Sequence, residues 1–279
     1  MKRTGRPCIV VPHGMLEPWI MQRSARTKRW FWKGFTRSLV ERAMAVQVLT
    51  EAERDSLTAL TAKARAVIIP NFVPAREGDA ILPAWWDESF EGKRLFLFFG
   101  RLHEKKGIVE LCAAWRQFNR THPAKAAACK LVFCGWIDGL PDFEQTVAQL
   151  AGEFGNIHFA GPQYGEEKWR SMAAADFMLL PSKSEGLPMS ILEGWSLGLP
   201  AIMTDGCNLP LGFERGAAMR TGTGAGAIAA SLIDAADMDE AARESMGASG
   251  RRLIADHYSE PAFRQHMSAL IGQARERRG

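Results

Sequence analysis

Short β-rich apolar runs alternate with helical patterns along almost the whole chain, and this alternation limits the fold more than any other feature. The runs lie at residues 8–11, 45–49, 66–69, 95–99, 130–134, 156–159, 177–180 and 201–203. Helical patterns at 108–120, 143–154 and 166–174 separate several of them. Strand, helix and strand at this spacing make βαβ units, whose strands run parallel and whose sheet is covered by helices. The class is therefore α/β. Thr50 opens a further helix and Glu53 stands three residues on, the spacing of a capping box. There is no internal repeat and no low-complexity tract.

A chain of 279 residues has room for one large or two modest domains, at about 150 residues each. The stretch from Pro70 to Glu91 is the natural boundary: it holds Pro70, Asn71, Pro74, Gly78 and Pro83 and has no clear period. Enough strands follow it for a complete α/β domain. Those that precede it bury too little apolar surface to stand alone, so the N-terminal part reads as the second half of something larger. The expected division is a partial N-terminal domain at 1–74, a complete domain at 75–258, and a C-terminal helix at 259–279 packing back on the N-terminal part. An open strand edge at residues 8–11 would favour a homo-oligomer.

The composition, 47% hydrophobic and 24% charged, suits a packed protein and excludes long-range disorder. A net charge of +4 is too weak to argue for nucleic acid. The charge is uneven, however. Between Gln22 and Arg42, seven bases (Arg23, Arg26, Lys28, Arg29, Lys33, Arg37, Arg42) face one acid, Glu41, which makes that window +6 and leaves −2 for the rest. Trp30, Phe31, Trp32 and Phe35 sit among the bases. Two readings fit: a solvated helix whose aromatics pack on the sheet, or a basic-aromatic helix resting on an anionic membrane surface. Cys8, Cys112, Cys129, Cys134 and Cys207 form no CxxC pair and lie mostly in apolar runs, which points to buried free thiols in a reducing compartment. No apolar run approaches the ~20 residues of a membrane helix. The apolar stretch after Lys2, Arg3 and Arg6 stops at Pro12-His13, too soon for a signal peptide. The expected location is cytoplasmic, with the inner face of the membrane as a possible resting place.

Two clusters have the makings of a site. In the first, Phe98-Phe-Gly-Arg-Leu-His-Glu-Lys-Lys-Gly107, a strand runs into Gly100, Arg101 and Lys106 before a helix starts near Gly107. Ligands of open parallel sheets bind beyond the carboxyl ends of the strands. Two fixed cations there, beside a helix N-terminus, suit a diphosphate; a pair of surface bases in a loop fits equally well. The second cluster is Leu180-Pro-Ser-Lys-Ser-Glu-Gly-Leu-Pro-Met-Ser-Ile-Leu-Glu193. Pro188 suits the first turn of a helix. The N–H groups of Gly186 to Ser190 would face an anion, Glu185 would accept from sugar hydroxyls and Glu193 from a ribose diol. The plain alternative is a capping loop with two surface acids.

Together, G-R-L-x-x-x-K-G and the later E-G-x-P-x-x-x-L-E resemble the donor-site signature of the GT-B glycosyltransferases of family 4. Glu193-Gly-Trp-Ser-Leu-Gly-Leu-Pro200 is similar to the family's E-A-x-A-x-G-x-P, with Gly194 in place of the usual Ala. Pro70-Asn71-Phe72-Val73 resembles its P-N-G-V interdomain link, with Phe72 in place of Gly. Pro12-His13-Gly14-Met15-Leu16-Glu17-Pro18-Trp19 looks like the N-terminal domain's mid-sheet segment in transferases of bacterial surface polysaccharides. The resemblance implies a Rossmann-like, donor-binding C-terminal domain joined to an incomplete N-terminal Rossmann-like half. It implies that Arg101 and Lys106 bind the donor diphosphate, that Glu185 contacts the sugar and Glu193 the ribose, and that the backbone at Gly186, Leu187 and Met189 reaches toward the diphosphate. Gly161, Pro162 and Gln163 would lie by the nucleobase, with Gly100 at the head of the phosphate loop. His13 would point into the cleft near the sugar, or else be a turn histidine bonded to backbone.

The implied activity is retaining, metal-independent and cofactor-free transfer from a UDP- or GDP-sugar to a polysaccharide or lipid-linked acceptor. The family's usual first part of the N-terminal domain, with its Gly-rich loop and most of the acceptor site, has no counterpart here. Two other readings are a homologue that binds nucleotide sugar as a subunit without transfer, and a non-hydrolysing nucleotide-sugar epimerase; the paired motif speaks against the latter. An NAD-dependent enzyme would need G-x-G-x-x-G after an early strand, and Gly222-Thr-Gly-Ala-Gly226 lies late and reads as a loop before a helix.

If the basic-aromatic window is a membrane face, the protein should sediment with anionic vesicles and release them as salt rises. Each base near the surface contributes about 1 kcal/mol. Replacing Arg23, Arg26, Lys28 and Arg29 by Gln should abolish the effect, and sedimentation indifferent to salt and lipid charge would refute it.

Overall fold

The computed structural model describes residues 7–12, 32–76 and 81–276. Contacts group the chain into two compact units: residues up to Phe72 together with Asp256 onward, and Val73–Ala255.

The first unit is built on three parallel strands in the order β1-β2-β3: β1 (Ile9–Val10), β2 (Ala45–Val48) and β3 (Ala66–Ile68). Side chains of a strand alternate between its faces. Val46 and Val48 pack with Trp32, Val40 and Leu57 on one side of β2, and Ala45 packs with Met44, Ile69 and Leu270 on the other. Both faces are covered, so β2 is buried throughout, and its one polar residue, Gln47, donates to the Ile69 carbonyl at 2.8 Å. β1 lies at the sheet's edge.

A π-helical turn (Trp32–Thr36) runs into α1 (Arg37–Arg42), so the end of the expected basic helix is helical. Its residues 23–31, like His13, lie outside the described residues. Thr50 caps α2 (Glu51–Leu60) by accepting from the Glu53 N–H at 3.3 Å. Glu53 Oε2 accepts from the Leu49 N–H at 2.7 Å, one residue before the partner that a capping box prescribes.

The second unit holds six parallel strands in the order β6-β5-β4-β7-β8-β9. They are β4 (Arg94–Phe99), β5 (Cys129–Cys134), β6 (Ile157–Gly161), β7 (Phe177–Leu180), β8 (Ala201–Met203) and β9 (Ala218–Arg220). β9 corrects the sequence reading, which counted five strands here. It is a three-residue edge strand with only Met219 as a large apolar residue, too short to stand out by composition. The helices are α3 (Ile108–Thr121), α4 (Pro123–Ala127), α5 (Phe143–Phe154), α6 (Gly165–Ala173), α7 (Met189–Ser196), α8 (Pro210–Glu214), α9 (Ala225–Asp237) and α10 (Glu240–His257). α11 (Glu260–Glu276) belongs to the first unit, where Phe263, Met267 and Leu270 enter the apolar cluster around Ala45. Among the described residues no helix is long and apolar enough to cross a membrane.

β4 and β5 are almost wholly buried, as strands covered on both faces must be. Phe96 stacks on Phe177 of the neighbouring strand, ring centroids 5.5 Å apart. Asn156, expected to open a strand, serves instead in a buried polar network: it accepts from Trp115 Nε1 at 3.0 Å and donates to Asn119 Oδ1 and the Ala126 carbonyl, both at 2.8 Å.

Where the central strands end, backbone meets backbone. Gly135 follows β5 with φ +150°, and a Cβ there would lie 1.8 Å from the Gly100 carbonyl oxygen. Gly135→Ala should therefore displace the loops after β4 and β5 and cost more than Gly155→Ala, where φ is +72° but nothing lies within 4 Å. The latter carries only the left-handed penalty of about 1–2 kcal/mol. Urea unfolding of the two variants measures the difference.

Candidate active site

From β4 the chain moves outward through β5 and β6, then crosses back to place β7 on the other side of β4 and continues outward through β8 and β9. The loops leaving β4 and β7 therefore part in opposite directions. In an open parallel sheet such a switch point leaves a crevice beyond the carboxyl ends of the strands, and ligands bind there. The two sequence clusters singled out above are these two loops: residues 100–107 follow β4 and residues 181–188 follow β7.

The loops are bound together by backbone and charge. The Lys183 N–H and the Ser182 hydroxyl both donate to the Lys105 carbonyl, at 2.8 and 3.1 Å. Gly107 turns into α3 with φ +74°, and a Cβ there would lie 2.3 Å from the Pro181 carbonyl oxygen. Lys106 Nζ lies 2.8 Å from Glu185 Oε1, with side chains only 15% and 11% exposed. The contact is an ion pair, and this oxygen accepts no hydrogen bond from any described residue.

On the far side, the turn after β8 grips the second loop. The Glu185 N–H donates to the Gly206 carbonyl at 2.7 Å, and Asn208 Nδ2 donates to the Glu185 carbonyl. The Thr204 hydroxyl donates to the Ser182 carbonyl. Cys207 Sγ lies 3.4 Å from the Leu180 carbonyl, and burial pushes its thiol up to about 12.

The remaining candidates lie around this junction. Arg101 pairs with Asp138 of the loop after β5 at 2.9 Å, both side chains well exposed. Gly161 ends β6, and the loop through Pro162 and Gln163 leads into α6; Gln163 Nε2 donates to the Ala160 carbonyl at 2.7 Å. Pro188 is the N-cap of α7 rather than its first residue, and Met189 begins the helix. No side chain caps α7; the Ile191 N–H donates to the Pro188 carbonyl at 3.1 Å, which leaves the N–H groups of Met189 and Ser190 available to an anion. Glu193, within α7, pairs with Lys168 of α6 at 2.8 Å. The structure thus joins Lys106 to Glu185 directly and gives Arg101 and Glu193 partners of their own. Asp138 and Lys168 were missed from the sequence. The signal for Lys168 was its place just inside the helix that follows the Gly161 loop. Among the described residues, no three His, Cys, Asp or Glu side chains converge as metal ligands.

The Lys106–Glu185 contact has a measurable consequence. Lys106→Met leaves a carboxylate with little solvent and no counter-ion, and should lower the unfolding free energy by about 1–3 kcal/mol. The double variant Lys106→Met/Glu185→Gln should recover part of that loss in urea unfolding. Strictly additive losses would mean the two groups are uncoupled.

Comparison with known proteins identifies the family and the fold. The chain is 25% identical over 182 residues to the putative colanic acid biosynthesis glycosyltransferase WcaL of Salmonella typhimurium, covering 61% of this chain and 43% of that protein. It is 33% identical over 114 residues to the putative teichuronic acid biosynthesis glycosyltransferase TuaC of Bacillus subtilis, covering 40% of this chain and 25% of that one. The matches thus span less than half the length of either relative. The Anabaena protein Alr3699/HepE, solved in complex with UDP and glucose, superposes with a TM-score of 0.74 at 16% identity, over 96% of this chain and 72% of its own. That likeness carries the fold, which is GT-B. Residues 86–252, which hold the whole six-stranded sheet and both loops of the switch point, match the family described as glycosyl transferases group 1, and the chain belongs to that family.

Proposed function

We propose that this chain is a metal-independent, retaining glycosyltransferase of family 4 type. It binds a UDP- or GDP-sugar in the crevice between β4 and β7 and moves the sugar to a polysaccharide or lipid-linked acceptor in surface-polysaccharide synthesis. The Lys106–Glu185 pair carries the reading. It sets a cation for the leaving diphosphate beside an acid for the sugar hydroxyls, at the switch point where an open parallel sheet takes its ligand. The relatives named for colanic and teichuronic acid biosynthesis support the acceptor class.

In this reading the bond between the sugar's C1 and the diphosphate oxygen breaks with its electron pair staying on the diphosphate. Arg101, Lys106 and the N–H groups at the start of α7 stabilise that charge while positive charge develops on the sugar. Pre-oriented donors of this kind are the largest single contribution in many enzymes. Glu185 holds the sugar hydroxyls and Glu193 the ribose, so the reacting carbon stays in register with the cations. Gly161, Pro162 and Gln163 border the nucleobase, and His13 serves the sugar side of the cleft. The reaction runs at the inner face of the membrane, where the basic window of residues 23–42 holds the protein.

Arg101→Ala and Lys106→Ala should each weaken binding of UDP or GDP by about ten- to a hundredfold, the worth of a charge-assisted contact. Calorimetry with both nucleotides measures this, and unchanged affinity in both variants would refute the site. Mass spectrometry of products from a panel of UDP- and GDP-sugars identifies the donor and reads the anomeric outcome.

A further inference from the structure

Glu193 is held from the side by a chain of contacts that begins two elements away. Lys168 Nζ donates to Glu193 Oε1 at 2.8 Å, with the two side chains 24% and 18% exposed. The same ammonium lies 4.5 Å from the centroid of the Trp169 ring. The Arg76 guanidinium lies 4.8 Å from that ring and makes two bonds to Glu166, at 2.8 and 2.9 Å. Glu166, Lys168 and Trp169 all belong to α6, which starts just after the Gly161-Pro162-Gln163 loop. Glu193 Oε2 accepts no hydrogen bond from any described residue. One carboxylate oxygen is anchored, and the other is free.

We propose that Lys168 is a positioning residue that sets Glu193 to receive the ribose diol of the nucleotide, and so governs discrimination between ribo- and deoxyribonucleotides. This rests on the reading of Glu193 as the ribose acceptor. A carboxylate chelates two adjacent hydroxyls only in a fixed rotamer, since each O–H···O⁻ bond is directional. Glu193 stands on α7, and no side chain on its own helix holds it. Lys168 supplies the fixed point from α6, and the Trp169 face limits where the ammonium can go. Lys168 touches the acid and not the nucleotide, so its effect should appear in the response to the 2′-hydroxyl and not in the grip on the diphosphate.

The test is calorimetry of the full chain with two pairs of probes, UDP and 2′-deoxy-UDP, GDP and 2′-deoxy-GDP. For the pair that binds, the wild type should prefer the ribonucleotide by about tenfold, one hydrogen bond to a charged group. Lys168→Met should reduce the preference to about threefold or less, Lys168→Arg should restore it, and Arg101→Ala should weaken both nucleotides while leaving the ratio unchanged. Glu193→Gln should show the low ratio, and Lys168→Met should lower it no further in that background. A Lys168→Met protein that keeps the wild-type ratio while Glu193→Gln loses it overturns the role of Lys168 alone. A wild type without preference, or a Glu193→Gln protein that keeps it, overturns the ribose reading and this inference with it.

Discussion

The adjacency of β4 and β7 is the constraint on which the rest of the candidate site depends. Two strands that lie far apart in the chain sit side by side, and their following loops diverge. That places the ends of two motifs against each other. Lys106 and Glu185 meet there, and each would be costly to bury alone. A half-buried ammonium or carboxylate without a partner loses hydration that nothing else replaces. The pair therefore forms only if both loops are in place, and it couples them.

Backbone packing makes that junction tight. Gly107 against Pro181, and Gly135 against Gly100, leave no room for a Cβ. Hydrogen bonds from Lys183 and Ser182 to the Lys105 carbonyl close the contact on one side, and the turn at Thr204 to Asn208 closes it on the other. Rigid backbone of this kind holds charges in place without reorganisation, as electrostatic stabilisation of a developing anion requires. Each of the candidate charges is already matched: Arg101 with Asp138, Lys106 with Glu185, Glu193 with Lys168. In the proposed function, an incoming diphosphate takes up cations whose acids stay nearby to meet hydroxyl groups.

How much of the site could be seen beforehand follows from chain distance. Arg101 and Lys106 stand a few residues apart after one strand, and Glu185 and Glu193 flank one loop and one helix, so local pattern marks all four. Asp138 carries no such mark, and Lys168 only its place just inside the helix after the Gly161 loop. Their partners are 37 and 25 residues away along the chain, on different elements, and only packing reveals which acid meets which base. The π-helical turn at Trp32–Thr36 was equally invisible, because its sequence has the same periodicity as an ordinary helix.

All eight apolar runs became strands, since runs of three to five mostly apolar residues bounded by turns have few other ways to bury themselves in an α/β layer. Helix starts such as Thr50, and the parallel βαβ class itself, follow from interactions within a few residues. β9 escaped notice because three residues on an edge strand carry too little apolar signal, although the hydrogen bonds to β8 settle its place. The strand order could not be read at all. Periodicity says which face of a strand is buried but not which strand lies beside it, and neighbours are chosen by the packing of distant side chains, such as Phe96 on Phe177. The chemical groups of the candidate site were therefore present in the sequence, whereas the junction that joins Lys106 to Glu185 exists only because long-range packing set β7 against β4.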